Sequence, residues 1–196
     1  VEEITEGVSG EPESEQGPGF SAAKVLRWLG QALREVAETF IPAIAIALLI
    51  NLFLAQATQV LGQSMEPNLH TNQRVVVEKV TYRLFHGPQR GDVVVLDLPS
   101  QSDMLIKRVI GLPGETIEVR SGEVYIDGEE LEETWPVRLG GSNYGPHTIP
   151  PLHIFVMGDN RGSSNDSRSF GDVPVDDIVG RAWFSYWPLE HVGLIK

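Results

Sequence analysis

The sequence predicts a mostly β protein: an antiparallel β-sheet domain with a small β-rich extension, preceded by a single N-terminal transmembrane helix. Three observations carry this prediction. An uncharged apolar run, FIPAIAIALLINLFLA, occupies 40–55; short β-branched runs replace it after Gly62; and turn-forming dipeptides punctuate those runs. A chain of 196 residues with 41% hydrophobic content can bury one sizeable core, so one main domain is expected.

The segment 1–20 is Glu, Gly, Pro and Ser with almost no apolar content, and it reads as a disordered acidic tail. Glu2, Glu3, Glu6, Glu11, Glu13 and Glu15 carry half of the formal charge of -12, so the remainder is only mildly acidic. No basic stripe interleaved with aromatics is present, which leaves nucleic-acid binding without a footing. Cysteine is absent, excluding disulfides, thiol nucleophiles and thiolate-bound zinc.

Over 21–39 the residues Val25, Leu26, Leu29, Ala32, Leu33 and Val36 recur at steps of three and four, predicting an amphipathic juxtamembrane helix. The uncharged stretch 40–61 follows and reads as the membrane span. A buried helix of a soluble protein and a cleaved export signal ending at Ala55-Gln56-Ala57 are the alternatives; the long acidic lead-in is unlike an export signal. Lys24, Arg27 and Arg34 precede the span and the next basic residue is Arg74, which puts the N-terminus on the cytoplasmic side and 62–196 outside.

Strands are predicted at 74–80, 92–98, 104–110, 116–120, 123–126, 154–157 and 182–187. Asp127-Gly128 marks a hairpin turn, and 135–151 reads as a long surface connection.

Ser64 lies just past the apolar run in Gly62-Gln63-Ser64-Met65-Glu66-Pro67, nearly a G-x-S-x-G elbow but with Glu66 where the last Gly must stand. Lys107 lies in Met104-Leu105-Ile106-Lys107-Arg108-Val109-Ile110, where strand alternation gives it one face with Leu105 and Val109. A lysine acts as a base only when neutral, and burial among aliphatics is what lowers its reference pKa of about 10.4. Taken singly, each residue has an ordinary reading: a loop serine bonded to nearby backbone, and a lysine whose stem lies along the sheet with its amine in water.

The segment 157–171 is dense in short polar groups after a hydrophobic strand. It lacks calcium-loop spacing and has Phe170 where the closing Glu would fall. Its functional reading pairs Asp166 with Arg168 to stiffen the loop and lets the Ser164 hydroxyl accept a proton from the Lys107 amine. His70, His86, His147, His153 and His191 form no H-E-x-x-H motif, so no metal site and no cofactor are expected.

In this order, Ser64-Met65-Glu66-Pro67, Gly91-Asp92-Val93-Val94-Val95, the run from Lys107-Arg108-Val109-Ile110 to Gly111-Leu112-Pro113-Gly114-Glu115, and 158–168 resemble the four boxes of type I signal peptidases, the leader peptidase family. The resemblance implies a membrane-bound serine endopeptidase working through a Ser-Lys dyad and an acyl-enzyme on preproteins carrying Ala-x-Ala signal peptides. It implies Ser64 as nucleophile, Lys107 as base, Ser164 orienting that lysine, Asp166 and Arg168 holding the loop, and the Ser64 N–H stabilising the oxyanion. Met65, Leu69 and Ile106 match pocket-lining positions. Gly62 replaces a hydroxyl residue that some members use as a second oxyanion donor, Asn68 stands where Thr is usual, and Phe170 where an indole is common. The implied location is a cell or thylakoid membrane, with the lipid bilayer and preproteins as partners. A self-cleaving regulator and a non-catalytic binding module on the same scaffold are the rival functions.

Overall fold

In the computed structural model, residues 22–49 and 54–195 are described; the predicted acidic tail lies outside them. Helix α1, Ala22–Leu49, joins the amphipathic stretch and the start of the apolar run, with Pro42 inside it. No helix among the described residues is long and apolar enough to cross a membrane. Lys24, Arg27, Arg34, Glu35 and Glu38 punctuate α1, and the uncharged stretch expected to span does not stay helical to its end. Its last part, Ala55–Gln59, is strand β1. Gln56, Thr58 and Gln59 alternate with Ala there and suit an edge strand better than a lipid-facing helix.

The chain divides into two compact units, Val1–Ile46 and Ala47–Lys196. In the second, β1 is followed by β2 (Arg74–Glu78), helix α2 (Thr81–Leu84), β3 (Val93–Leu96) and β4 (Leu105–Gly111). Then come β5 (Thr116–Arg120), β6 (Glu123–Ile126), β7 (Glu129–Glu130), β8 (Tyr144–Thr148) and β9 (His153–Met157). Helix α3 (Ser167–Phe170), β10 (Val173–Pro174), β11 (Ile178–Trp187) and β12 (Gly193–Leu194) complete it.

The larger sheet has the order β1-β2-β11-β3-β4-β9-β10, with β12 on β11, and every pairing in it is antiparallel. The smaller sheet, β7-β6-β5-β8, is the β-rich extension. Asp127 and Gly128 both take positive φ at the turn into β7, as a two-residue hairpin requires. The expected surface connection at 135–151 contains β8; an edge position tolerates Pro146, whose missing N–H made this stretch read as loop.

β3 and β4 are buried on both faces: Val93, Val95 and Ile106 enter one aliphatic cluster, Val94, Leu96 and Val109 a second. A third cluster, with Ile110, Ile117, Val119, Val124 and Phe155, lies under the smaller sheet. The continuous apolar run of β3 is what burial on both faces demands. Into the middle of this apolar region β4 carries Lys107 and Arg108, 3% and 0% exposed.

Candidate active site

Ser64 sits in the turn between β1 and β2. Met65 and Leu69, both in the first aliphatic cluster, anchor that turn from below, and bonds from Asn68 N and Leu69 N to Met65 O close it. Lys107 arrives from the centre of the sheet. Its β4 position pairs with the fully buried Val94, and the β4–β9 register sets Arg108 opposite Met157. The polar segment that begins at Gly158 therefore leaves β9 directly beside Lys107.

The Lys107 Nζ donates to Ser64 Oγ at 2.9 Å and to its own strand's Ile106 O at 2.9 Å. Burial pushes the ammonium down from 10.5 to about 8, although the charges of Asp166 and Asp159 pull the other way. An amine in that range holds an appreciable neutral fraction near neutral pH, and at 2.9 Å a neutral Nζ can equally accept the serine proton.

Asp166 and Arg168 meet in a two-point ion pair, with Arg168 Nε to Oδ1 at 2.8 Å and Nη2 to Oδ2 at 2.9 Å. Burial works to raise the Asp166 carboxyl, but the Arg168 bonds and charge and the Gly158 N–H outweigh it and hold it below the usual range. Ser164 differs from expectation. Its Oγ is buried and helps to hold the Asp166 carboxyl ionised, while the Lys107 amine is turned onto Ile106 O and Ser64. The hydroxyl instead lies against Gly158, where a Cβ would come within 2.3 Å of Ser164 Oγ and 2.4 Å of Ser64 O. Only glycine admits this approach.

Gly62 has φ +82°, and Thr71 Oγ1 donates to its carbonyl at 2.8 Å. An L side chain there would be strained, so glycine suits the backbone that presents Ser64. Met65, Leu69 and Ile106, the expected pocket lining, are 0%, 2% and 9% exposed and pack in the first cluster. They form the closed apolar floor beneath the site rather than the walls of an open pocket. Leu69 also borders a cavity of about 310 Å³, shared with Asn68, Gln73, Ser185 and the 191–195 segment.

Three residues were missed by sequence reasoning. Arg108 and Asp159 form a fully buried two-point ion pair at 2.8 and 2.7 Å. Asn68 Nδ2 adds a bond to Asp159 at 2.8 Å, tying the Ser64 turn to the same carboxylate. Asn160 donates its backbone N–H to Ser64 O at 2.9 Å and its side-chain amide to Gln63 O at 3.2 Å. The signal for the first pair was available: alternation gave Arg108 a face shared with Ile106 and Ile110, and a buried guanidinium there demands a carboxylate.

A buried amine lowered toward neutrality beside a serine hydroxyl, on a floor of aliphatics, is equipped for nucleophilic attack on a carbonyl with proton transfer to nitrogen. Comparison with known proteins identifies a peptidase family. The family described as signal peptidase, peptidase S26, matches residues 33–187. The chain is 39% identical over 167 residues to a probable signal peptidase I-2 of Synechocystis, covering 82% of this chain and 76% of that protein. It is 40% identical over 169 residues to signal peptidase I of Leptolyngbya laminosa, covering 82% and 83%. It is 32% identical over 179 residues to thylakoidal processing peptidase 1, chloroplastic, of Arabidopsis thaliana, covering 84% and 52%.

Proposed function

The chain belongs to the type I signal peptidase family, peptidase S26, and from that premise we propose that it removes signal peptides from preproteins by a Ser64-Lys107 dyad. The observation that carries this reading is the 2.9 Å contact between a buried, pKa-lowered lysine and a serine on an adjoining turn. Neutral Lys107 takes the Ser64 proton as Oγ attacks the scissile carbonyl. The Ser64 N–H stabilises the resulting oxyanion, and the protonated lysine returns its proton to the leaving amine. Water, activated by the lysine once neutral, then hydrolyses the Ser64 ester.

Asp166 and Arg168 hold the 158–168 loop against Lys107, and Gly158 lets that loop approach Ser64. The buried Met65, Leu69 and Ile106 would form the apolar floor against which small residues one and three positions before the cut, the Ala-x-Ala pattern, are read. The N-terminal segment serves as a membrane anchor with Lys24, Arg27 and Arg34 on the cytoplasmic side, the β-sheet domain that begins with β1 acting on the outer face of a cell or thylakoid membrane. No cofactor enters this scheme.

Cleavage of a signal-bearing preprotein in lipid or detergent tests it, comparing the parent with Ser64→Ala and Lys107→Ala and reading product termini by mass spectrometry. Cut sites after small-x-small sequences, lost in both variants, are the expected result. Cleavage surviving in both variants, or absent in the parent, would favour the non-catalytic binding module instead.

A further inference from the structure

The geometry points to Asn160 as a positioning residue that fixes the direction of the Ser64 N–H, and so prepares the oxyanion donor before substrate arrives; this rests on the dyad reading above. The Ser64 N–H belongs to the peptide unit between Gln63 and Ser64. That unit is planar and trans, so the Gln63 C=O and the Ser64 N–H point in opposite directions, and whatever fixes one fixes the other. Asn160 Nδ2 donates to the Gln63 oxygen at 3.2 Å. The Asn160 backbone N–H donates to the Ser64 oxygen at 2.9 Å. One residue therefore grips the carbonyls on both sides of the Ser64 Cα. The turn bond from Glu66 N to Gln63 O, also 3.2 Å, occupies the same oxygen and assists it.

This grip is needed because the chain just before it is soft. Gly62 has φ +82° and open space around the site of a Cβ, so no side chain there braces the entry to Gln63, and the next peptide unit turns about Gln63 ψ and Ser64 φ unless its own groups are held. A flip of the Gln63–Ser64 plane would carry the N–H away from the attacked carbonyl while leaving Oγ and Lys107 together. Asn160 is itself held: it is 8% exposed, and its neighbour Asp159 is locked by Arg108 and Asn68. The ion pair thus reaches the Ser64 backbone through Asn160, in addition to the pull of the Asp159 charge on the lysine amine.

The test replaces Asn160 with Ala and, to keep the volume, with Leu. Both lose the amide donor, whereas the backbone N–H to Ser64 O remains. A missing preorganised donor is felt in the transition state, so kcat should fall at least about tenfold with KM little changed. The pH midpoint of the reaction should stay where it is in the parent, since Asn160 is uncharged and no hydrogen bond joins it to Lys107 among the described residues. Unchanged kcat in either folded variant, or a loss expressed as a shifted pH midpoint, would overturn the assignment. Ser64→Ala run beside them separates the two failures. If Ser64→Ala still cleaves, the dyad reading falls; if it is inactive while Asn160→Leu matches the parent, only the role of Asn160 falls.

Discussion

At the scale of single residues, the site is a conflict between stability and chemistry centred on Lys107. The lysine is 3% exposed, and lowering its pKa from 10.5 to about 8 corresponds to about 3 kcal/mol of disfavoured charge burial. In the native state it binds a proton more weakly than in the unfolded chain. Between about pH 8 and 10.5 the unfolded chain therefore holds more protons, and native stability rises with pH across that window; below it the full cost is present. Lys107→Met should accordingly be inactive yet more stable than the parent at pH 7, by about 1–3 kcal/mol in urea unfolding, with the difference vanishing toward pH 10.5. Equal or lower stability of Lys107→Met at pH 7 would mean that burial is not what tunes the amine. Sequence could nominate Ser64 and Lys107, because a serine beyond an apolar run and a lysine among aliphatics are local patterns. It could not give the direction of the amine, which Ile106 O and Ser64 decide at the expense of Ser164.

At the scale of elements, the 158–168 loop is held by charges that local pattern alone does not pair. Asp166 and Arg168 are two positions apart and were readable together. Asp159 is far from both Arg108 and Asn68 in sequence, and only the β4–β9 register brings Arg108 beside it. Arg108 also donates to Gly91 O at 2.8 Å and lies 4.7 Å from the centre of the Trp135 ring. Asp159→Ala leaves that guanidinium buried without its carboxylate and should cost about 3–5 kcal/mol by denaturant unfolding. Replacing both members, Arg108→Met with Asp159→Leu, should cost less than Asp159→Ala alone, because no buried charge is then left uncompensated. A double variant weaker than the single one would contradict this account of the pair. The strands of β2 to β6 and β9 were legible from β-branched runs and turn residues; β8 was not, because Gly145-Pro146 looks like a loop until the edge of the smaller sheet accommodates it.

At the scale of the whole molecule, the fold brings the Ser64 turn, the middle of β4 and the end of β9 to one place in a largely apolar body. The antiparallel architecture and the family were legible in the sequence, since four ordered boxes span most of the second unit. The extent of the helical N-terminal segment was not: hydropathy makes 40–61 one uncharged stretch, whereas pairing with β2 converts Ala55–Gln59 into an edge strand. What the assembly accomplishes is the removal of one lysine from water beside one hydroxyl, and the pH dependence of preprotein cleavage tests that most directly. Measured as kcat/KM from pH 6 to 11, activity should rise as Lys107 loses its proton, with a midpoint near 8. A midpoint close to the ordinary lysine value near 10.5, or a rate indifferent to pH through this range, would contradict Lys107 as the buried base.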